Sequence, residues 1–188
     1  MRKMLLVLLG AALPVALAAQ APQGGCTHRG SAADLAKRAS PLDSVQATID
    51  GATVKLCYGR PSAKGRAIMG GLVPFGAPWR LGANEPTRLI LPFAAEVAGA
   101  RVEPGTYSIY VVPRETSWEV HVNKAVDRWG IPIDEQVQAQ DAGKGTVPVE
   151  ALAQPVEMLT LHLVAGPPAE LVVEWEKTRV RIPIRKAS

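Results

Sequence analysis

A chain of 188 residues, 47% of them hydrophobic and 20% charged, is long enough for one domain with a real core and has an ordinary globular composition. The formal charge of +4 falls by two once Arg2 and Lys3 are set aside, and no long basic run occurs, so nucleic acid is excluded as a partner. No Walker loop, GxSxG, HExxH, CxxC or dinucleotide-binding glycine fingerprint is present, so neither a cofactor nor a metal is expected.

The N-terminus reads as a secretory signal peptide over residues 1–18. Arg2 and Lys3 form a basic start, Met4 to Ala18 is an uncharged run, and Ala16-Leu17-Ala18 supplies a small-x-small cleavage signal. The apolar run is shorter than the roughly 20 residues a membrane-crossing helix needs, so no transmembrane segment is expected after cleavage. The protein is therefore expected to be exported, periplasmic or extracellular. Export permits a disulfide between Cys26 and Cys57, although nothing in the sequence sets their distance, and two free thiols are the alternative. A lipid anchor on Cys26 is disfavoured, because Gln23-Gly24-Gly25 lacks the aliphatic residue expected three before the cysteine.

Residues 19–39 read as a leader, rich in Gln, Pro and Gly up to residue 30. Ser31-Ala32-Ala33-Asp34 resembles a capping box, opening a short helix to about Ala39 before Ser40-Pro41 ends it. A single domain then covers 40–188. Val45–Ile49 and Thr53–Tyr58 flank Asp50-Gly51, a strong hairpin signal. Further strands are expected at Leu89–Phe93, Tyr107–Val112, Trp118–Val122, Leu159–Val164, Leu171–Trp175 and Val180–Ile184. Pro104-Gly105 suggests a type II turn, and a second short helix is expected from Pro132 with Asp134 and Glu135 in its first turn. The last two strands are expected to pair as a hairpin closed by Lys177-Thr178, setting Glu176 opposite Arg179 and Glu174 opposite Arg181. About eight short strands with Gly/Pro punctuation and almost no helix predict an all-β, jelly-roll-like antiparallel sandwich.

Between Arg60 and Arg88 the strand pattern lapses into one long excursion punctuated by five glycines and four prolines. Loops of this length in compact domains are often functional. Its cations are Arg60, Lys64, Arg66, Arg80 and Arg88, against the single acid Glu85. Arginine forks suit carboxylate or phosphate, glycines admit backbone N–H groups to a ligand, and Trp79 offers a stacking face. The competing reading makes the arginines braces against Glu96, Asp127 and Glu157, with Trp79 plugging the end of the sandwich. His121 and His162 fall on the non-core face of their strands, where an exposed polar surface accounts for them.

The string "YGRPSAKGRAIMGGLVPFGAPWRLGANEPT", followed by "PGTYSIYVVP", "WEVHVNKAVDRWG" and "VEWEKTRVRIPI", resembles a bacterial exported family, the domain of unknown function numbered 2911. The resemblance spans roughly Ser40 to Ile184 and implies a β-sandwich in an exported setting, without an activity. The matching residues are Arg60, Lys64, Arg66, Trp79, Arg80, Asn84, Glu85, Thr87, Asn123, Lys124, Trp129 and Trp175. It breaks after Trp129-Gly130, where the family carries a tyrosine and then an aspartate followed by an arginine. Here Asp141 is followed by Ala142-Gly143-Lys144-Gly145.

Two functions follow from these residues. In the first, the domain is a non-catalytic binding module: Arg60, Arg66 and Arg80 hold a small anionic or carbohydrate-like ligand, Trp79 stacks on it, and Asn84 and Glu85 orient it. In the second, Glu85 is the general acid or base of a hydrolase or isomerase, with the arginines stabilising negative charge. A structural or accessory envelope role is the third alternative.

Overall fold

In the computed structural model of the protein, residues 25–188 are described, so the expected signal peptide and the first part of the leader lie outside the described residues. The leader's helix, α1 (Ala32–Ala36), begins as its sequence dictates. The Asp34 N–H donates to the Ser31 hydroxyl, and the Ser31 N–H donates back to the Asp34 carboxylate at 3.0 Å. The helix stops three residues before the expected Ala39.

Strands β1 (Leu42–Ile49) and β2 (Ala52–Gly59) form the foreseen hairpin. Asp50 and Gly51 have φ of 48° and 78°, both left-handed as a type I′ turn requires. Val54, Leu56 and Tyr58 alternate along β2 and are all buried. The irregular excursion follows, and the chain re-enters the sheet as β3 (Thr87–Leu91). A hairpin that the strand pattern did not foresee comes next: β4 (Ala95–Val97) and β5 (Ala100–Val102). Its turn, Ala98-Gly99, is left-handed at both residues without the Asn or Asp that would have announced it.

Strands β6 (Gly105–Pro113) and β7 (Ser117–Asn123) lie where the alternation put them. Gly105 is not left-handed and pairs with Leu91, so the type II turn expected at Pro104-Gly105 is not formed. A single turn of helix, α2 (Glu135–Gln138), is capped by the Asp134 side chain rather than starting at Pro132.

The end of the chain corrects the expectation most. Residues expected as two paired strands belong to one long strand, β9 (Ala169–Lys186), whose partner is β8 (Asp141–Val164). Lys177-Thr178 makes no turn. Neither residue favours the left-handed backbone a tight hairpin needs, and Glu176 absorbs the irregularity instead at φ 51°. Glu176 faces Val156 and Arg179 faces Glu150 in the ladder. Arg179 still reaches Glu174, along its own strand, through a 2.6 Å bond from Nε.

The strands form one antiparallel sheet in the order β1-β2-β3-β6-β7-β8-β9-β4-β5. Strand β8 turns the corner: residues up to Pro148 pair with β7, and those from Val149 pair with β9. The two halves share one apolar core, in which Leu56, Leu89, Ile109 and Val120 meet Leu161, Leu171, Val173 and Ile182. The Leu161 N–H donates to the Tyr58 hydroxyl at 3.1 Å and fastens the halves together. The outer face of the central strands is buried as well, at Cys57, Ile90, Ser108, Tyr110 and His121. The leader covers β2 on this side, and the segment 124–140 returns beside β7, where the Asn123 amide donates to the Val137 carbonyl.

Candidate functional site

The excursion between β2 and β3 is held at both ends by close backbone approach. The Ala83 N–H donates to the Gly59 carbonyl at 3.2 Å, and a Cβ at Gly59 would collide with the Ala83 carbonyl. Leu81 is fully buried and left-handed at φ 53°, and Asn84 follows at φ 64°. Gly82 itself is not left-handed. It lets the Thr87 hydroxyl pass beneath it to donate to the Leu81 carbonyl at 2.7 Å. Lys64 is left-handed too, at φ 51°. Non-glycine residues in this region store strain that the surroundings must hold.

Between these ends the loop frames a cleft of about 430 Å³ whose lining includes Ser62, Lys64, Arg66, Trp79, Arg80 and Trp175. Trp79 forms the wall. It exchanges two backbone bonds with Val111, stacks on buried Trp175 at 5.7 Å and meets Trp118 edge-on at 5.9 Å. Trp79 therefore plugs the end of the sandwich and borders the cleft at the same time. Arg66 is steered by backbone carbonyls: Nε donates to Ala63 and Nη2 to Ser62. The Arg80 Nε donates to the Gly82 carbonyl, and its stem lies against Gly130, where a Cβ would strike Arg80 Cδ. Burial pulls the Arg80 guanidinium's pKa downward without discharging it at neutral pH.

Among the described residues, Lys64, Arg66 and Arg80 have no carboxylate within salt-bridge distance, and no acid lines the cleft. The two acids in the adjoining groove are turned to backbone amides. Glu157 accepts from the Lys64 N–H at 2.8 Å, and Glu176 accepts from the Ile68 N–H at 3.1 Å.

Glu85 is placed elsewhere. The Arg38 fork closes over both its oxygens, at 2.7 and 2.9 Å, and the Arg29 N–H donates at 2.7 Å. Burial works against its charge, but Arg38 and the amide bonds win and hold its pKa at about 2. A carboxylate kept ionised in this way does not serve as a general acid at neutral pH. Glu85, expected to orient a ligand or act as a general acid or base, instead ties down the leader. The second tie is the bond between Cys26 and Cys57, 5.6 Å apart at Cα, which leaves no thiol on Cys26 for acylation.

The remaining sequence candidates scatter. Arg60 is a brace, donating to the Leu159 carbonyl, to Thr160 Oγ1 and to Asp43 at 3.4 Å. Arg88 is paired with Asp127 at 3.1 Å, one of the braces foreseen. The Asn84 carbonyl accepts from the Gly130 N–H and its amide reaches the Ser40 carbonyl. Thr87 is wholly buried, Lys124 borders a different depression beside α2, and Trp129 is 44% exposed outside the cleft. Asn123 bonds the Val137 carbonyl and Asp141 on the outer face of the sheet.

That outer face holds the polar cluster the strand pattern did not reveal. Tyr110 stacks on His121 at 4.3 Å and donates to Asp141 Oδ2 at 2.9 Å, while His121 spans Asp141 and Glu119 at 2.7 and 2.8 Å. Burial and then Asp141 push the Tyr110 phenol far above its ordinary range. His121 was expected on an exposed face and is 5% exposed, because the cover over this side of the sheet cannot be read from alternation. His162 does not approach it and lies near Glu174. Among the described residues no group of His, Cys, Asp and Glu side chains is arranged to hold a metal ion.

A family model described as "Protein of unknown function (DUF2911)" matches residues 40–184, the span from the end of the leader to the close of β9. Neither the curated proteins nor the solved structures contain a match to the chain.

Proposed function

The chain belongs to the family of unknown function DUF2911, and on that footing we propose that it is a non-catalytic binding module for a small anion, working in an exported setting. The observation that carries this reading is the charge of one cleft. Lys64, Arg66 and Arg80 line it with no carboxylate in salt-bridge distance among the described residues, on a backbone strained at Lys64, Leu81 and Asn84. Cations left unneutralised around a concave, partly apolar wall favour a multivalent carboxylate or a phosphate. Ser62 adds a hydroxyl, and the edge of Trp79 gives the ligand an apolar side. The arrangement contains no nucleophile paired with a base, so recognition rather than turnover is what these groups supply.

A thermal-shift panel of dicarboxylates, phosphates and acidic oligosaccharides tests it. At least one anion should raise the midpoint saturably, as mass action requires, and Arg80→Ala should abolish the rise. A panel without a saturable rise, or a rise that survives Arg80→Ala, would overturn the assignment.

A further inference from the structure

Resting on that reading of the cleft, we infer that its anion is the headgroup of a lipid, and that the protein docks on an anionic lipid surface through this end of the sandwich. The further observation is where its exposed apolar side chains lie. Among the described residues the exposed large hydrophobics are Leu72 at 47%, Phe75 at 41%, Trp129 at 44%, Ile131 at 55% and Val164 at 47%. Four of these five sit on the two segments that adjoin the cleft.

Leu72 lines the cleft itself, and Phe75 belongs to the same loop, packed over Gly70. Trp129 and Ile131 flank Gly130, whose N–H is bonded to Asn84 and whose Cα abuts the Arg80 stem. Isolated apolar residues on a surface are ordinary, but two exposed pairs on the two segments that adjoin cations without a salt-bridge partner are a different matter. A free phosphate or dicarboxylate would use the cations and leave the apolar residues idle. An anionic membrane uses both: headgroups meet Lys64, Arg66 and Arg80, while Leu72, Phe75, Trp129 and Ile131 enter the boundary with the acyl chains. Tryptophan favours that boundary because its ring is apolar at one edge and polar at the other.

Co-sedimentation with vesicles tests the inference, using the processed protein from Ala19 onward. Vesicles of phosphatidylcholine with about 30% phosphatidylglycerol should bind it, and pure phosphatidylcholine should not. Citrate in excess should displace it, since the two anions share the cleft. Ile131→Ser and Phe75→Ser should each weaken vesicle binding by about tenfold, the equivalent of about 1.4 kcal/mol, while leaving the thermal response to citrate intact. That retained response also shows the variants to be folded. Citrate binding without vesicle binding would overturn the lipid inference and leave the anion cleft standing. Vesicle binding that ignores both apolar substitutions would overturn it too. Loss of both responses in the wild type would overturn the cleft itself.

Discussion

Arg38 closes its guanidinium over both carboxylate oxygens of Glu85, and this clasp joins the leader to a loop 47 residues further along the chain. The leader is thereby tied to β2 at Cys26 and to Glu85 through Arg29 and Arg38. The acid that looked most like a catalytic group is in this way a structural anchor.

The clasp predicts a pH dependence with a definite sign. Glu85 has its pKa lowered from 4.5 to about 2, so its contribution to stability is fully present above about pH 5 and is lost as pH falls toward 2. The displacement corresponds to at most about 3 kcal/mol for this mostly buried group. Thermal unfolding of wild type and Glu85→Gln should differ most at neutral pH and converge near pH 2. A constant gap across that range would contradict the assignment.

The two ties should act on the same segment and so fail to add. Removing the disulfide, which spans 31 residues, costs up to about 3–4 kcal/mol by loop-closure entropy. Cys26→Ser with Cys57→Ser, combined with Arg38→Ala, should expose the leader to trypsin far more than either change alone. The sandwich from residue 40 should stay resistant. Additive sensitivity would mean that the ties are independent.

Trp79→Ala tests whether the cleft wall is part of the core. The indole joins Trp118 and Trp175 in one aromatic group, and truncation of a half-buried tryptophan should cost about 2–4 kcal/mol. Denaturant unfolding should register the loss together with a changed near-ultraviolet dichroism. A cost below about 1 kcal/mol would show the wall to be dispensable.

Asp141→Ala should be among the most damaging changes outside the apolar core. It leaves the Tyr110 hydroxyl, one ring nitrogen of His121 and the Asn123 amide without their shared acceptor. Buried polar groups stranded in this way cost about 1–3 kcal/mol each, less what water recovers. Urea unfolding measures it, and Asp141→Asn should recover part of the loss.

Most of the sheet was legible because alternation and turn chemistry spoke together, as at Asp50-Gly51 between β1 and β2. The hairpin at Ala98-Gly99 was not, since a left-handed alanine carries no local signal and is imposed by its neighbours. The unbroken β9 was misread because Trp175 and Val180 look like the ends of two strands when Lys177-Thr178 lies between them. Lys64, Arg66, Trp79 and Arg80 were legible as a group from the density of cations among glycines. Their separation from Glu85, Thr87 and Asn123 was not, because nothing local says that a carboxylate will be taken by Arg38. The burial of His121 depends in the same way on the chain that covers β7, which alternation along β7 cannot register.

An NMR titration with citrate tests the cleft most directly. Nitrogen-edited spectra report the Trp79 indole, the Arg80 Nε–H and the backbone amides of Lys64 and Arg66, and these signals should shift together along one saturable curve. A second depression, bordered by Arg29, Arg88 and Arg128 together with Glu85 and Asp127, is the natural competitor, and its signals should stay still. Shifts confined to that depression, or no saturable shift at the cleft, would contradict the account.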